Sequence, residues 1–306
     1  MEPKTPPMPW EEFYRTKGPR AIAIDGYVDG PPIFDPSSAC ANFDHHARVH
    51  RPATRATCGQ VYFAVKRNLF LSFRNGSKES EAKVFANHPD EDVCLSWALL
   101  KWASGMPEML ETAGLSHLVN LVDLIDASSG SFPVSEKIWQ EIAWVFQSYR
   151  RFRMSGEIDR QDAREYSAVV TETEDRIAKY VRGQGESLAL DTRYEKIGAV
   201  KLKRSGIECA IIREKGAQAR IRIVSDGILF YLSVRERPGG NWTDTLVKTS
   251  PFIPIDLSRV YQALNSAEKC GAHDRWGGGT DVGGSPRVRG TSFSPSQVAR
   301  IVAEVY

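Results

Sequence analysis

The chain has 306 residues, of which 42% are hydrophobic and 25% are charged, and its formal net charge is +2 at pH 7. This length and composition fit one large globular domain or two of medium size. The small net charge excludes a polycationic protein, so any site for a nucleotide or nucleic acid has to come from local clusters of charge.

Five cysteines are spread widely along the chain, and no two of them form a Cys-x-x-Cys pair. This spacing argues against a zinc ribbon or a thioredoxin-like motif and is typical of a reducing compartment. The proline-rich residues 1–10 lack the apolar core of a signal peptide, and no stretch approaches the roughly 20 apolar residues of a membrane span. We therefore expect a soluble, cytoplasmic protein whose residues 1–20 form an arm over the surface.

The first predicted element is a short buried strand at 21–24, with Asp25 at its carboxyl end. Ligands of α/β sheets bind outside the carboxyl ends of the strands, so Asp25 lies at a candidate site. The stretch 26–38 is rich in Gly, Pro and Asp and is expected to be loop. Apolar spacing then predicts a helix over 57–69, a weaker strand over 83–86, and helices over 90–103 and 115–125.

Two long amphipathic helices follow, over 135–152 and 159–181, and they suit a connector between two lobes. Toward the C-terminus, short strand-like runs are separated by Gly, Asp and Pro. They are predicted strands over 199–202, 209–212, 219–224 and 228–234, followed by helices near 257–264 and 295–305. The predicted fold is α/β: an N-terminal lobe with a mainly parallel sheet over 21–132, a helical linker over 133–185, and a smaller α+β lobe over 186–306.

Acidic and histidine residues are concentrated in two clusters, Asp44-His45-His46 and His88-Pro89-Asp90-Glu91-Asp92. Each cluster lies where an apolar run meets a loop, and Asp25 and Asp126 lie at comparable ends of predicted elements. Carboxylates and imidazoles at such positions suit two adjacent divalent cations, which can hold a phosphate and activate a water.

Each of these features also has an ordinary structural explanation. Asp and His are common in surface turns, and Asp90 and Asp92 could simply favour the start of the following helix. Asp126 could be part of a helix C-terminal turn, and Asp123, one helical turn earlier, competes with it as a ligand. The combination of both clusters, including His88, favours the metal site.

These residues resemble the DHH phosphoesterase superfamily, which includes RecJ-type exonucleases, nanoRNases, family II inorganic pyrophosphatases and exopolyphosphatases. Asp44-His45-His46 matches the motif that names the superfamily, and Asp25 resembles its bridging aspartate. The run from Pro89 to Ser96 resembles its Pro-Asp-x-Asp-x-x-x-Ser motif, and 125–132 resembles the motif of its last metal aspartate. The run from Trp276 to Ser285 resembles the glycine-rich substrate loop of the associated C-terminal (DHHA1) domain. Together the resemblance covers most of residues 20–305.

The chain departs from the family in two ways. Its Asp-x-Asp motif follows Asp-His-His instead of preceding it, so the motif order is permuted. Thr280 stands where many members carry a histidine after the glycines, and the nearest histidine, His273, precedes Trp276. The substrate class is therefore less constrained than the metal chemistry.

The resemblance implies two divalent cations, Mn²⁺ first, with Mg²⁺ or Co²⁺ as alternatives. The first cation would be held by His88, Asp90 and Asp25. The second would be held by Asp92, His45 and Asp126, with Asp25 bridging the two.

Two further residues of the motif have implied roles in catalysis. His46 would contact the phosphate, and Asp44 would orient a neighbouring ligand, because metal-binding imidazoles need an outer partner.

Basic and glycine-rich segments supply candidates for phosphate binding. They are Arg48, His50, Arg51 and Arg55 after Asp-His-His, Gly277, Gly278 and Gly279 with Gly283 and Gly284 in the loop, and Arg287 and Arg289 after it. Each basic residue alone is better explained as part of a solvated loop, but as a set they could attract phosphate. Trp276, with Phe293 as a second candidate, could stack on a base, although Trp276 could equally be a packing anchor.

The leading expectation is a metal-dependent phosphoesterase that hydrolyses a phosphodiester in a nucleotide or short single-stranded oligonucleotide, as a nanoRNase or 3′-5′ exonuclease does. One alternative is a nucleotide-sensing module that has lost catalysis, and another is a hydrolase of phosphoanhydrides. A structural scaffold would require every acidic and histidine position to be incidental. The amphipathic helices within 135–181 could also serve a homodimer.

Overall fold

The computed structural model describes residues 1–74, 81–271 and 274–306, so His273 lies outside the described residues. The chain divides into two compact units, one formed by 1–132 and 137–188 and the other by 133–136 and 189–306. Both units combine helices with a mixed sheet, which confirms the predicted α/β class in its coarse form. Within the described ranges, no helix has the length and apolar character that crossing a bilayer requires.

The first unit is built on a four-stranded sheet. Its strands are β1 (Ala21–Ile24), β2 (Ile33–Asp35), β3 (Cys40–Phe43) and β4 (Lys83–Phe85), in the order β2-β3-β1-β4. The central strand β1 runs parallel to β3 and β4, whereas the edge strand β2 is antiparallel to β3. Because β1 and β3 are parallel and Ile24 pairs with Phe43, Asp25 and Asp44 follow their strands at the same edge.

Seven helices of the first unit are described. They are α1 (Trp10–Lys17), α2 (Thr57–Lys66), α3 (Glu91–Gly105), α4 (Ala113–Ala127), α5 (Glu136–Val145), α6 (Gln147–Met154) and α7 (Ala163–Lys179). Shorter helical turns lie at Arg51–Ala53, Leu69–Leu71, Pro107–Glu111, Glu157–Arg160 and Tyr180–Gln184. The helix predicted over 57–69 therefore ends at Lys66, and the one predicted over 135–152 is divided at Phe146.

The expected arm over 1–20 is wrong, because this segment contains α1 and contributes to the core. The Phe13 ring is fully buried and packs edge-on against Tyr27 and Phe85, with ring centroids 5.9 and 5.8 Å apart. Burying a large aromatic ring is favourable enough to anchor a short helix that its own propensity would not hold.

The helices predicted as a linker pack against the first unit. The buried Glu174 of α7 accepts hydrogen bonds from Trp102 Nε1 at 3.1 Å and from Lys101 Nζ at 2.8 Å, both in α3. Arg150 of α6 donates to Glu91 of α3 at 2.7 Å. Residues 137–188 are therefore part of this unit, and not a separate connector.

The second unit is built on a six-stranded mixed sheet. Its strands are β5 (Tyr194–Lys201), β6 (Glu208–Glu214), β7 (Phe230–Glu236), β8 (Trp242–Lys248), β9 (Gly277–Gly278) and β10 (Val282–Gly284), in the order β5-β6-β7-β8-β10-β9. Its helices are α8 (Ala219–Ser225), α9 (Leu257–Glu268) and α10 (Pro295–Val305). Ser294 caps α10 through a reciprocal capping box with Gln297.

The strand predicted over 219–224 is wrong, because this segment forms helix α8. The alternation of Arg and Ile there imitates a strand, yet the buried residues are Ala219 and Ile223, which are one helical turn apart. Strands β6 and β7, which flank α8, are parallel neighbours. A parallel pair needs a crossover connection, and a helix usually provides it.

Candidate metal centre

Asp25 is held at the end of β1 in an uncommon backbone conformation. Its φ is 51°, and Gly26 follows with a φ of 75°. Aspartate tolerates this left-handed region better than most residues, and such outliers are frequent at functional sites. The amide of Asp25 still donates to Phe43 O at 2.9 Å, which continues the pairing of β1 with β3. The chain turns at Asp25 because of this φ angle. The buried carboxylate of Asp25 lies 2.9 Å from His46 Nε2.

Asp44 shapes the turn that carries both histidines. Its Oδ1 accepts from the amide of His46 at 3.2 Å, and its Oδ2 accepts from the amide of Ala47 at 3.1 Å. The side chain of Gln60 in α2 donates to the carbonyl of Asp44 at 2.8 Å. Asp44 is fully buried and engaged with backbone, so its role in the structure is to hold the turn that presents His45 and His46.

The ring of His45 lies among three carboxylates. Its Nε2 is 2.7 Å from Asp126 Oδ2, 3.5 Å from Asp25 Oδ1 and 3.6 Å from Asp92 Oδ2. The side chain is fully buried, and neither ring nitrogen has a partner with hydrogen-bond geometry among the described residues, despite the short distance to Asp126. A buried nitrogen without a hydrogen bond is costly, whereas an imidazole and three carboxylates directed at one space suit a divalent cation.

Helix α3 contributes Asp92, whose carboxylate lies at the N-terminus of helix α2. Its Oδ2 accepts from the amide of Thr57 at 2.7 Å, and its Oδ1 accepts from the amide of Cys58 at 2.6 Å. These amides belong to the first turn of α2, where the helix dipole favours negative charge. The hydrogen bonds fix the orientation of a carboxylate that is almost completely buried.

Asp90 and His88 are placed differently from Asp92. Asp90 is the N-cap of α3 and accepts from the amide of Val93 at 3.0 Å, which is the ordinary structural role considered for it. His88 Nδ1 lies 3.4 Å from Asp90 Oδ2, and its ring packs edge-on against Tyr149 and Tyr166.

Helix α4 supplies both competing aspartates, and they serve different purposes. Asp123 accepts from the amide of Ala56 at 2.6 Å, just before α2 begins. Asp126 lies one turn later and faces His45. The Arg51 guanidinium donates to the carbonyl of Asp126 at 3.0 Å. Of the two, Asp126 belongs to the cluster around His45.

The described residues contain two overlapping groups of metal-ligand type, each with its ligand atoms within 4.8 Å of one another. One is Asp25, His45 and His46, and the other is His45, Asp92 and Asp126. The second group, with Asp25 beside it, contains the residues expected to hold the second cation. The set expected for the first cation does not assemble in this way among the described residues: His46 approaches Asp25, and His88 and Asp90 form no group with it.

Charge within the cluster is strongly unbalanced. Burial, reinforced by the charges of Asp25 and Asp126, raises the pKa of Asp92 well above its usual value. Burial alone would raise the pKa of Asp25, but its contacts with His45 and His46 outweigh burial and hold that pKa well below the usual value. Burial would likewise lower the pKa of His45, yet Asp126 and Asp25 raise it to about 10. Both raised pKa values mean that Asp92 and His45 hold protons that offset the neighbouring carboxylates, and a bound cation would take over that role.

Two expected phosphate-binding arginines flank this cluster. The Arg48 side chain is mostly exposed and lies 3.9 Å from Asp29. The Arg55 side chain is half-exposed, 3.8 Å from Asp123, and donates to the carbonyl of Gly59 at 3.3 Å. Exposed guanidinium groups with such long ion pairs keep donors available for an anion.

In the second unit, the glycine-rich loop lines a cavity of about 860 Å³. Gly277, Gly278 and Gly279 form part of its wall, and Arg287 also lines it. Gly278 has a φ of 153°, and a Cβ there would collide with the backbone of Gly283, so this hairpin requires glycine. Arg289, the other basic residue after the loop, is paired with Glu268 and Asp274.

The expectation that Trp276 stacks on a base is wrong. Only 1% of its surface is exposed, and it belongs to the core of the second unit. Its Nε1 donates to Glu268 at 2.8 Å, and its backbone amide donates to Asn265 Oδ1 at 2.8 Å. Trp276 is thus the packing anchor that was its alternative, and it leaves no ring face for a ligand.

Two residues of interest escaped the sequence analysis. Thr57 donates from Oγ1 to Asp25 Oδ1 at 3.2 Å, and only its position at the start of α2 could have drawn attention to it. Asp244 of β8 is completely buried, lines the cavity of the second unit, and neither carboxylate oxygen has a hydrogen-bond partner among the described residues. In the sequence, Asp244 could have been noticed as the one acidic residue within the apolar and β-branched run Trp242–Lys248.

Comparison of the chain with models of protein families, with curated proteins and with solved structures gave no match. The assignment of a function therefore depends on the geometry of the site and on the motifs themselves.

Proposed function

We propose that the protein is a metal-dependent phosphoesterase that hydrolyses a phosphodiester in a nucleotide or a short single-stranded oligonucleotide. The observation that carries the proposal is His45 Nε2, which is buried within 3.6 Å of the carboxylates of Asp25, Asp92 and Asp126 and has no hydrogen-bond geometry to any of them. The resemblance of the motifs to DHH phosphoesterases supports the same chemistry. The five cysteines are free, which supports a reducing compartment such as the cytoplasm.

The donor set fits two adjacent divalent cations, with Mn²⁺ the best match for mixed carboxylate and imidazole ligands. His45, Asp92 and Asp126 would hold one cation, and Asp25 with His46 would hold the other, with Asp25 shared. Bound cations of this kind lower the pKa of water and stabilise charge on a phosphoryl group.

The surrounding residues of the chain orient this set and supply positive charge. Thr57 and the first turn of α2 fix the carboxylates of Asp25 and Asp92, and Asp44 fixes the turn that presents both histidines. Arg48 and Arg55 would attract the phosphate and offset its charge in the transition state.

The first experiment combines a metal count with turnover. The purified protein is loaded with Mn²⁺, the bound metal is counted by mass spectrometry, and hydrolysis of bis-p-nitrophenyl phosphate is followed. The test variant is Asp126→Asn, which removes one charge from a partly exposed position beside His45. The matched control is Asp123→Asn, one turn earlier on α4, which retains an acceptor for the amide of Ala56.

For the wild type we expect about two Mn²⁺ per chain and turnover that depends on the metal. Asp126→Asn should lose bound metal and turnover, whereas Asp123→Asn should retain them. Binding of metal without turnover of any phosphodiester would favour the nucleotide-sensing alternative. Absence of bound metal in the wild type would overturn the proposal.

A further inference from the structure

An open groove of about 440 Å³ lies between the edge strand β2 and helix α2. Its volume is within the range of roughly 300–1,000 Å³ that is usual for sites of small molecules. The main apolar contributors are Pro32, Ile33, Phe34, Phe43, Phe63 and Ala64, and Arg55 is the cation in its lining.

Three large apolar side chains around this groove are exposed to solvent. The exposed fractions are 40% for Ile33, 43% for Phe34 and 63% for Phe63. Single exposed apolar residues are ordinary, but several that line one groove, with polar residues in the same lining, indicate a binding surface. Two of the three are aromatic, which provides ring faces for a flat ligand.

The groove is continuous with the elements that build the metal centre. Phe43, in its wall, is the last residue of β3 and immediately precedes Asp44. Gln60, also in its wall, donates both to the carbonyl of Asp44 and to that of Arg55, at 2.8 Å each. Thr57, in the first turn of α2, donates to Asp25. A ligand in the groove would therefore adjoin the turn that carries His45 and His46.

The chemistry of the lining matches a nucleobase with an attached phosphate. Aromatic rings stack on bases of any sequence, and a neighbouring arginine pairs with the backbone phosphate. A peptide strand would pair with the edge backbone of β2 and would have no use for an arginine beside the metal centre.

We propose that this groove binds a nucleobase of the substrate, which stacks on Phe63 and Phe34 while Arg55 contacts the adjacent phosphate. The proposal rests on the proposed phosphoesterase function and specifies where a base of its substrate binds. It also assigns the base to the first unit, where Phe34 and Phe63 take the stacking role that the buried Trp276 cannot have.

The test is a binding measurement that needs no turnover. The full chain is titrated calorimetrically, with Ca²⁺ in place of Mn²⁺, using the thymidine dinucleotide pTpT and an analogue in which both bases are replaced by hydrogen. We expect the wild type to prefer pTpT by about tenfold, because one stacked base contributes about 1–3 kcal/mol. The preference should fall to about twofold or less, on the same scale, in Phe63→Ala and Phe34→Ala.

Phe252→Ala is the matched control, because Phe252 is 81% exposed but lies in the second unit, outside the groove. It should keep the full preference for pTpT. Equal affinity of the wild type for both ligands, or an undiminished preference in Phe63→Ala and Phe34→Ala, would overturn the proposal. A wild-type dimer that dissociates in Phe63→Ala, with no change in ligand preference, would assign the groove to a second copy and also overturn it.

The outcome is separable from that of the proposed function. If the protein hydrolyses bis-p-nitrophenyl phosphate but shows no preference for pTpT, the base site is rejected and the proposed phosphoesterase function stands. If Phe63→Ala abolishes a preference for pTpT and the wild type hydrolyses no ester, the base site is supported and the proposed catalytic function is rejected.

Discussion

The carboxylate of Asp92 accepts a hydrogen bond from the amide of Thr57 at 2.7 Å, and the hydroxyl of Thr57 donates to Asp25 at 3.2 Å. One residue at the start of α2 therefore supports two candidate ligands that are far apart in sequence. The carboxylate of Asp92 also accepts from the amide of Cys58, so the positive end of the α2 dipole opposes part of the effect of burial on the pKa of Asp92. Ligands fixed in this way lose less freedom when a cation binds, so the support should contribute to metal affinity.

Replacing Thr57 tests this support directly. Thr57→Val keeps the shape of the side chain but removes the donor to Asp25, so we expect Mn²⁺ affinity to fall about 10- to 100-fold. Thr57→Ser retains the hydroxyl and should stay close to the wild type. Titration with Mn²⁺, followed by electron paramagnetic resonance of the free ion, measures the affinity. Equal affinities of the valine and serine variants would exclude a role for this hydrogen bond.

Removal of metal should destabilise the first unit. Without a cation, the carboxylates of Asp25, Asp92 and Asp126 remain close together, and His45 has no partner with hydrogen-bond geometry. Mn²⁺ at about 100 times its Kd should add about 2.7 kcal/mol to the free energy of unfolding, and a chelator should remove this gain.

The same pair of aspartate variants provides the comparison for thermal melting with and without Mn²⁺. Asp123→Asn should show the wild-type increase in Tm, whereas Asp126→Asn should show a much smaller one. An equal increase in both variants would place the cation elsewhere.

The grouping of Asp25, His45, Asp92 and Asp126 could be predicted from sequence because these residues lie at the ends of elements. Asp25 and Asp44 follow parallel neighbours β1 and β3, so the sheet itself brings them together. The choice between Asp123 and Asp126 was beyond the sequence, since each follows apolar residues of the same helix and only the tertiary packing of α2 separates their roles. The place of His46 beside Asp25 also depends on the turn that Asp44 holds.

Other errors arose where a short pattern fits two structures. The run 219–224 alternates like a strand, yet it connects two parallel strands and buries only one helical face. Trp276 next to glycines resembles an exposed loop residue, but Glu268 offers its indole a buried hydrogen bond. In both cases long-range packing decides the structure, and the local sequence pattern carries no information about that packing.

The buried position of Trp276 makes a prediction opposite to that of a ligand contact. Trp276→Phe removes the donor to Glu268 and leaves a small cavity, so the free energy of unfolding of the second unit should fall by about 1–3 kcal/mol. Metal binding and the preference for pTpT should be unchanged. Urea denaturation measures the first effect and calorimetric titration the second. If Trp276→Phe weakened the preference for pTpT and kept the wild-type stability, Trp276 would be a ligand contact and not a packing residue.

The isolated carboxylate of Asp244 predicts a pH-dependent stability of the second unit. Burial, with the charge of Glu268 adding to it, raises the pKa of Asp244 from 3.8 to about 7. The folded state therefore holds this proton more tightly than the unfolded state. The associated stability is present below about pH 4 and is lost as the pH rises through 7. The loss is at most about 4 kcal/mol, since one pH unit corresponds to about 1.4 kcal/mol.

Asp244→Asn keeps the shape of the side chain but carries no charge at any pH. In urea denaturation, we expect the variant to be more stable than the wild type at pH 8, with the difference shrinking as the pH falls to 5. Glu236→Gln, which neutralises an exposed carboxylate on the adjacent strand β7, should follow the wild-type profile. If Asp244→Asn instead runs parallel to the wild type from pH 5 to 8, then Asp244 is charged in the folded protein and has a partner that stabilises it. Its place in the wall of the glycine-lined cavity would make a bound cation or donor there the first partner to look for.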